Sequence, residues 1–584
     1  MQQGTSNQTV VEDAAAPDGV ADQDDPGSGE PPKGRSKRHG WHRLPTYTFA
    51  GTTGALIFAW ASFTPTLVPR SPLFQGLVAG VSAALGYAAG LIINWVIQQF
   101  SDQVATPQTR RRAWWVLLVV GVIGSITMVL LGSYWQSELR ELMDMDDSAN
   151  AALLLVVAVT LAMFVLIIWI VRFLITATRW TIRQVNKIMP PAIARLLGVA
   201  AVVVLSVTLV DGVLLQGIMS VLDSSFKTLN QETTAGTDPP EEPELSGSQD
   251  SLVSWDALGR KGRDFVAGAL TPEEINEFTG GGAIQPIRAY AGLEDSDEAR
   301  DRAQLVLEEL KRTGGFDREV LVVATTTGTG WVDDQAIWPV EYMYNGNTAT
   351  ASMQYSYLPS WLSFLVDRPR AQEAGRAMFD AVYGHWVNLP SDDRPKLYVF
   401  GESLGSFGGE AAFSGIDDIQ NRVDGVFFAG PPNSNTLWSE FVEARDPDST
   451  MAAPVFEGGE AVRFGATPEQ LQEPGSDWEK PRMAYLQHSS DPIVWWTPSL
   501  LLTEPDWLKE ERGADVLPDT KWLPLVTFFQ VSADLAAANS VPDGHGHKYG
   551  IYQVGAWAAI AAPPGWTDAK TQELTDIIDA RPTT

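Results

Sequence analysis

The sequence predicts a two-part chain: a bundle of five transmembrane helices, followed by an α/β domain built on a largely parallel sheet. Two observations carry that expectation. Long uncharged apolar runs crowd the stretch before residue 220, and after residue 250 short apolar runs alternate with amphipathic ones. An apolar fraction of 45% spread so unevenly means one part solvated by lipid and another by water. The 584 residues leave room for several units.

Residues 1–45 form an acidic, Gly/Pro/Ser-rich tail with little to bury, expected to be disordered. It ends in a basic cluster of Lys33, Arg35, Lys37, Arg38 and Arg43. No small-residue cleavage site follows the first apolar run, so a signal peptide is not expected. The membrane domain, 46–220, contains apolar runs at Thr46–Phe63, Leu73–Ile97, Trp114–Trp135, Ala151–Leu174 and Ala194–Leu215. Each is near the ~20 residues a helix needs to span the hydrocarbon core. Tryptophans such as Trp95, Trp114, Trp135 and Trp180 stand close to run ends, where an interfacial belt places them.

Loop charge orients these runs. The N-terminal flank, Arg110–Arg112, and the group Arg179, Arg183, Lys187 and Arg195 are basic, whereas the loop after span three carries Glu138, Glu141, Asp144, Asp146 and Asp147. The positive-inside rule makes the basic loops cytoplasmic. Five spans then put the N-terminus inside a plasma membrane and everything after residue 220 outside. Asp211, a turn from the outer end of span five, either marks a relay or simply reaches the interface.

A polar Pro/Glu/Ser linker is expected at 221–250 and the α/β domain at 251–584. Expected strands are Ile287–Ala291, Glu319–Thr325, Thr348–Tyr355, Lys396–Gly401, Gly425–Ala429 and Met483–His488, with helical patterns at Glu298–Arg312 and Ala371–Val387 between them.

The chemistry concentrates at RPKLYVFGESLGSFGGEAAF, where Gly401-Glu402-Ser403-Leu404-Gly405 follows a short apolar strand and precedes a helix start. That is the strand–turn–helix of a nucleophile elbow, in which glycines permit a sharp turn that lifts the Ser403 hydroxyl clear. The Leu404 amide then faces a developing oxyanion. A serine hydroxyl needs a base, and the domain offers His385, His488, His545 and His547. His385 precedes the serine inside a helical stretch and reads as structural. His545 and His547 lie in VPDGHGHKYG, a loop able to return to the sheet edge. His547, next to the helix start, is favoured, with His545 kept as the alternative. RMAYLQHSSDPIVWW supplies the orienting acid, Asp491, at a strand end between serine and histidine; Asp534 and Asp543 are rivals, and His488 a supporting group.

The second oxyanion donor is expected from EVLVVATTTGTGW, among Thr327, Gly328 and Gly330. QYSYLPSWLSFLVD reads as core or as an acyl-binding wall, and FFAGPPNSNTLW as a rim loop.

At GESLG, TTTGTGW, QYSYLPSWLSFLVD and GHGHKYG, and at SFTPTLVPRSP (Ser62–Pro72), the chain resembles the actinobacterial α/β-hydrolase family that joins a multi-span membrane region to a hydrolase domain. The resemblance implies the α/β-hydrolase fold and a serine hydrolase, points to Ser403, Asp491 and the GHGH loop, and supplies no substrate. Taken together, these readings anticipate a membrane-anchored serine hydrolase of the cell envelope, acting on a lipid-like ester through a catalytic triad. An acyltransferase using the same site, and a non-catalytic sensor or scaffold, are the alternatives. The lipid bilayer is the expected partner. Nucleic acid is excluded, because a net charge of −30 cannot neutralise phosphates. No cysteine exists to supply a thiolate. No metal or cofactor site is expected, since TGTG lacks the Lys and Ser/Thr of a phosphate loop.

Overall fold

The computed structural model describes residues 47–100, 106–146, 153–208 and 216–582. The acidic tail and Asp211 lie outside them.

Helices α1 (Phe49–Ala61), α2 (Pro72–Phe100), α3 (Pro107–Leu142), α4 (Leu153–Val185) and α5 (Pro191–Thr208) occupy the five apolar stretches. Among the described residues only α2 to α5 are long and apolar enough to cross a membrane, which corrects the expected five spans to four. The difference lies in α1, whose 13 residues reach about 20 Å against a hydrocarbon core of about 30 Å. The Thr48 side chain caps its start by accepting from the Gly51 amide, and Pro65 follows its end. Helix α1 packs on α2 backbone to backbone: a Cβ on Gly54 would lie 2.1 Å from the Gly86 carbonyl oxygen. Elsewhere the helices turn apolar side chains outward. Ile92, Trp95, Val116, Ile123, Trp169, Leu196 and Val204 are each more than half exposed, a surface suited to lipid.

Helices α2 and α4 lie side by side, with Gly76 against Val159 and Gly80 against Met163. Their C-terminal ends, flanked by the basic residues, therefore point away from the segment 62–71, and that segment meets the α/β domain.

Helix α6 (Gln216–Gln231) leads into the α/β domain, and the expected linker is in good part packed structure. The Ser246 amide donates to the Arg288 carbonyl (3.0 Å), and the Ser246 hydroxyl accepts from the Tyr290 amide (3.0 Å). Composition could not reveal this, because polar side chains here satisfy the exposed flank of a strand.

Seven strands form one parallel sheet: β1 (Ile287–Ala291), β2 (Val320–Thr325), β3 (Thr348–Met353), β4 (Lys396–Glu402), β5 (Gly425–Ala429), β6 (Val462–Gly465) and β7 (Arg482–Leu486), in spatial order β1-β3-β2-β4-β5-β7-β6. Six were expected; β6, four residues at the edge, was too short to stand out. Both faces are covered, as a parallel sheet requires. Leu321, Val323, Leu397 and Val399 pack beneath the helices Ala299–Thr313 and Arg368–Trp386. Val320, Val322, Tyr398 and Phe400 share the other core with Trp338 and Trp557. From β2 the chain runs outward to β3 and then returns to place β4 on the opposite side of β2. A crevice forms at the carboxyl ends of strands at such a reversal.

Candidate active site

The residue after β4 is Ser403, at φ 55° and ψ −127°, a conformation that few side chains adopt. Strand pairing and helix packing hold it there. The Ser403 amide donates to the Ala429 carbonyl (2.8 Å), and the Ser403 carbonyl accepts from the Ser406 hydroxyl (2.6 Å). A Cβ on Gly405 would lie 2.3 Å from the Thr325 carbonyl, so glycine alone lets the helix Leu404–Glu410 sit against β2. The Leu404 amide opens that helix, where amides lack intrahelical partners.

Ser403 and His547 line one cavity of about 420 Å³. His547 Nδ1 lies 2.6 Å from Asp491 Oδ2. A carboxylate beside Nδ1 fixes the proton on that nitrogen and leaves Nε2 as an acceptor, and Nε2 has no hydrogen-bond partner. Asp491 is fully buried where β7 gives way to a short helix. It also accepts from Tyr549 Oη (2.7 Å) and the Ile493 amide (2.8 Å), so three donors hold it in place.

The two loop histidines part here. His545 faces Asp515 (Nδ1 4.0 Å) and is absent from the cavity wall. The loop fixes this choice through its backbone. The His547 amide donates to the Ala538 carbonyl (2.9 Å), and the Gly546 amide to Ser490 Oγ (2.8 Å). The Gly546 carbonyl accepts from His488 Nδ1 (2.9 Å). Burial holds the His488 imidazole below its usual pKa, which keeps it neutral. His385 packs edge-on to Phe316, and Asp534 pairs with Arg70, so neither approaches Ser403. Asp543 does line the cavity, but as the partner of Lys548 at 3.0 Å.

In the TTTGTGW loop two amides are engaged in the loop's own turn. Its turn uses the Thr327 amide, which donates to the Trp331 carbonyl (3.0 Å), and the Gly330 amide, which donates to the Thr327 carbonyl (2.9 Å). Gly328 packs against Leu358 and Ser360, while Thr327 and Thr329 form wall. In the QYSYLPSWLSFLVD stretch, Tyr355, Leu358, Leu362 and Phe364 are core, and Pro359 and Ser360 reach the cavity.

Sequence reading passed over three contributors. Gly430, ending β5 at φ +56°, abuts the imidazole: a Cβ there would lie 2.4 Å from His547 Cε1. A glycine at a strand end beside the elbow was its only signal. Asp333 and Glu402 bring carboxyls into the same cavity. Burial pushes Asp333 up to about 7 and Glu402 well above the carboxylate range, the latter helped by Asp333, Asp491 and Asp543. Glu402 Oε2 has no partner.

No curated protein and no solved structure matches the chain. A model described as the alpha/beta-hydrolase family matches residues 287–574, and one described as the N-terminus of that family matches 63–269. The parallel sheet with its strained serine turn and the two successive matches agree: the chain belongs to the alpha/beta-hydrolase family.

Proposed function

We propose that the protein is a membrane-anchored serine hydrolase that cleaves an ester at the membrane surface through Ser403, His547 and Asp491. One observation carries the reading: an imidazole tied to a buried carboxylate at 2.6 Å, with its other nitrogen unpartnered, shares a cavity with a serine on a strained turn.

Ser403 Oγ attacks the ester carbonyl while His547 Nε2 takes its proton, and Asp491 stabilises the imidazolium. The tetrahedral oxyanion lies at the amide of Leu404. Of Thr327, Gly328 and Gly330, Gly328 is the one whose amide the turn does not use, and we take it as the second donor. Collapse expels the alcohol, which takes the proton from His547. Water, deprotonated by the same nitrogen, then attacks the acyl-enzyme, releasing the acid and restoring Ser403. The carboxyls of Asp333, Glu402 and Asp543 favour a substrate whose part next to Ser403 is rich in hydrogen-bond donors, as in the polar portion of a lipid or envelope ester. The basic ends of α2 and α4 face the cytoplasm under the positive-inside rule, which puts the α/β domain outside.

A fluorophosphonate probe tests the chemistry. It labels wild-type protein in membranes and leaves Ser403→Ala unlabelled; equal labelling of both would end the proposal. For the substrate, hydrolysis of polar-headgroup esters in vesicles should exceed that of short soluble esters. The reverse order would remove the membrane-surface assignment.

A further inference from the structure

The motif SFTPTLVPRSP lies between α1 and α2, more than 460 residues from His547 in sequence, yet it packs beneath the loop that carries that histidine. Arg70 and Asp534 form an ion pair at 2.6 Å with side chains 1% and 0% exposed. The remaining guanidinium donors go to Gln75 Oε1 (3.0 Å) and Thr66 Oγ1, and the Arg70 amide donates to Gln136 of α3 (2.8 Å). The Leu67 amide donates to the other Asp534 oxygen (3.2 Å). One turn earlier, Gln530 Nε2 donates to the carbonyls of Ser62 (3.2 Å) and Thr64 (3.0 Å). Gln530 and Asp534 belong to the helix Val526–Asp534, and both are fully buried against this segment.

Asp534 is also where the histidine loop begins. Four residues on, Ala538 offers the carbonyl that receives the His547 amide (2.9 Å). Val68 is fully buried and packs in one cluster with Val541 of the loop and with Leu139 and Met143 at the end of α3. A Cβ on Gly546, the residue before His547, would lie 3.4 Å from Val68 Cγ1. The floor of the loop is thus made by the membrane region. A soluble α/β domain would lack the Arg70 and Leu67 partners of Asp534 and the Val68 contact under Val541 and Gly546, leaving the loop backbone held by its contacts to Ser490 and His488.

We propose that the segment Ser62–Arg70 is a positioning element of the site. Through Arg70–Asp534 and Val68–Val541 it holds the 534–547 loop so that His547 stands over Ser403. This rests on the reading of His547 as the base, and it makes the membrane region part of the catalytic apparatus rather than an anchor alone. A displacement of the imidazole by about 1 Å suffices to slow such a reaction about 100-fold.

The test uses the full chain in lipid nanodiscs and follows fluorophosphonate labelling of Ser403 over time. The labelling rate constant reports the placement of His547, whereas the labelled fraction at the end reports how much protein is folded. Val68→Ala removes two methyl groups from beneath the loop. The pair Arg70→Met with Asp534→Asn removes the clamp without leaving an orphaned charge. Both should lower the rate constant about ten-fold or more with the endpoint unchanged, and Arg70→Lys should retain part of the wild-type rate. Rate constants within about two-fold of wild type, or a loss confined to the endpoint, would overturn the proposal. A wild-type protein that fails to label would instead remove the hydrolase reading, and this inference with it.

Discussion

Replacing Asp491 by asparagine tests the charge-bearing part of the site without changing its shape. The carboxylate accepts His547 Nδ1–H at 2.6 Å and Tyr549 Oη–H at 2.7 Å on one oxygen, and the Ile493 amide at 2.8 Å on the other. An asparagine keeps the Ile493 bond through its carbonyl and turns its NH2 towards His547 and Tyr549. The tyrosine hydroxyl can reverse and accept, so packing survives. The imidazole can meet an NH2 only by shifting its proton to Nε2, the nitrogen that shares the cavity with Ser403. The base becomes a donor. The expected loss in labelling or turnover is about 10³- to 10⁴-fold, corresponding to about 4–5.5 kcal/mol of transition-state stabilisation. The assay compares second-order labelling rates of wild type, Asp491→Asn and Ser403→Ala at neutral pH, with thermal unfolding alongside. If Asp491→Asn labelled within about ten-fold of wild type while Ser403→Ala stayed silent, the tautomer argument would be refuted.

Gly430→Ala should act on the same imidazole by contact. Its methyl would lie 2.4 Å from His547 Cε1 at a backbone φ of +56°, so labelling should fall about 100-fold while stability drops by only about 1–2 kcal/mol; an unchanged rate would remove Gly430 from the site. Asp333 should make stability depend on pH. Burial raises its folded pKa to about 7, above an unfolded value near 4, so its contribution is complete below about pH 4 and is lost as pH rises through about 7. In Asp333→Asn that decline, of order a few kcal/mol, should be absent from unfolding curves, and parallel curves for the two proteins would contradict the assignment.

How much of this was legible in the chain varies with the range of the interactions involved. Ser403 was legible because the elbow is local: a strand, two glycines and a helix start within ten residues. Strands β2, β4, β5 and β7 were legible because they are buried on both faces and read as largely apolar runs. Helix α1 misled because hydropathy measures how apolar a stretch is, and not where Thr48 caps it or where the chain breaks before Pro65. The loop after β2 was legible as a turn but not in its hydrogen bonds. Glycines and threonines suggested free amides, but Gly330 at φ +89° closes a turn that uses two of them.

By itself the sequence determined which part of the chain is apolar enough to suit lipid, the alternation that makes a parallel sheet, and the serine at its turn. Each follows from neighbours within a few residues. Only the tertiary structure could bring His547 rather than His545 to the cavity, set Gly430 against the imidazole and seat Arg70 on Asp534. Those pairings join residues from 117 positions apart (Gly430 and His547) to 464 (Arg70 and Asp534), and nothing in the local pattern of either partner specifies the other. Arg70 meets Asp534 because the packed sheet and the apolar helices bury both groups where each is the other's charge partner.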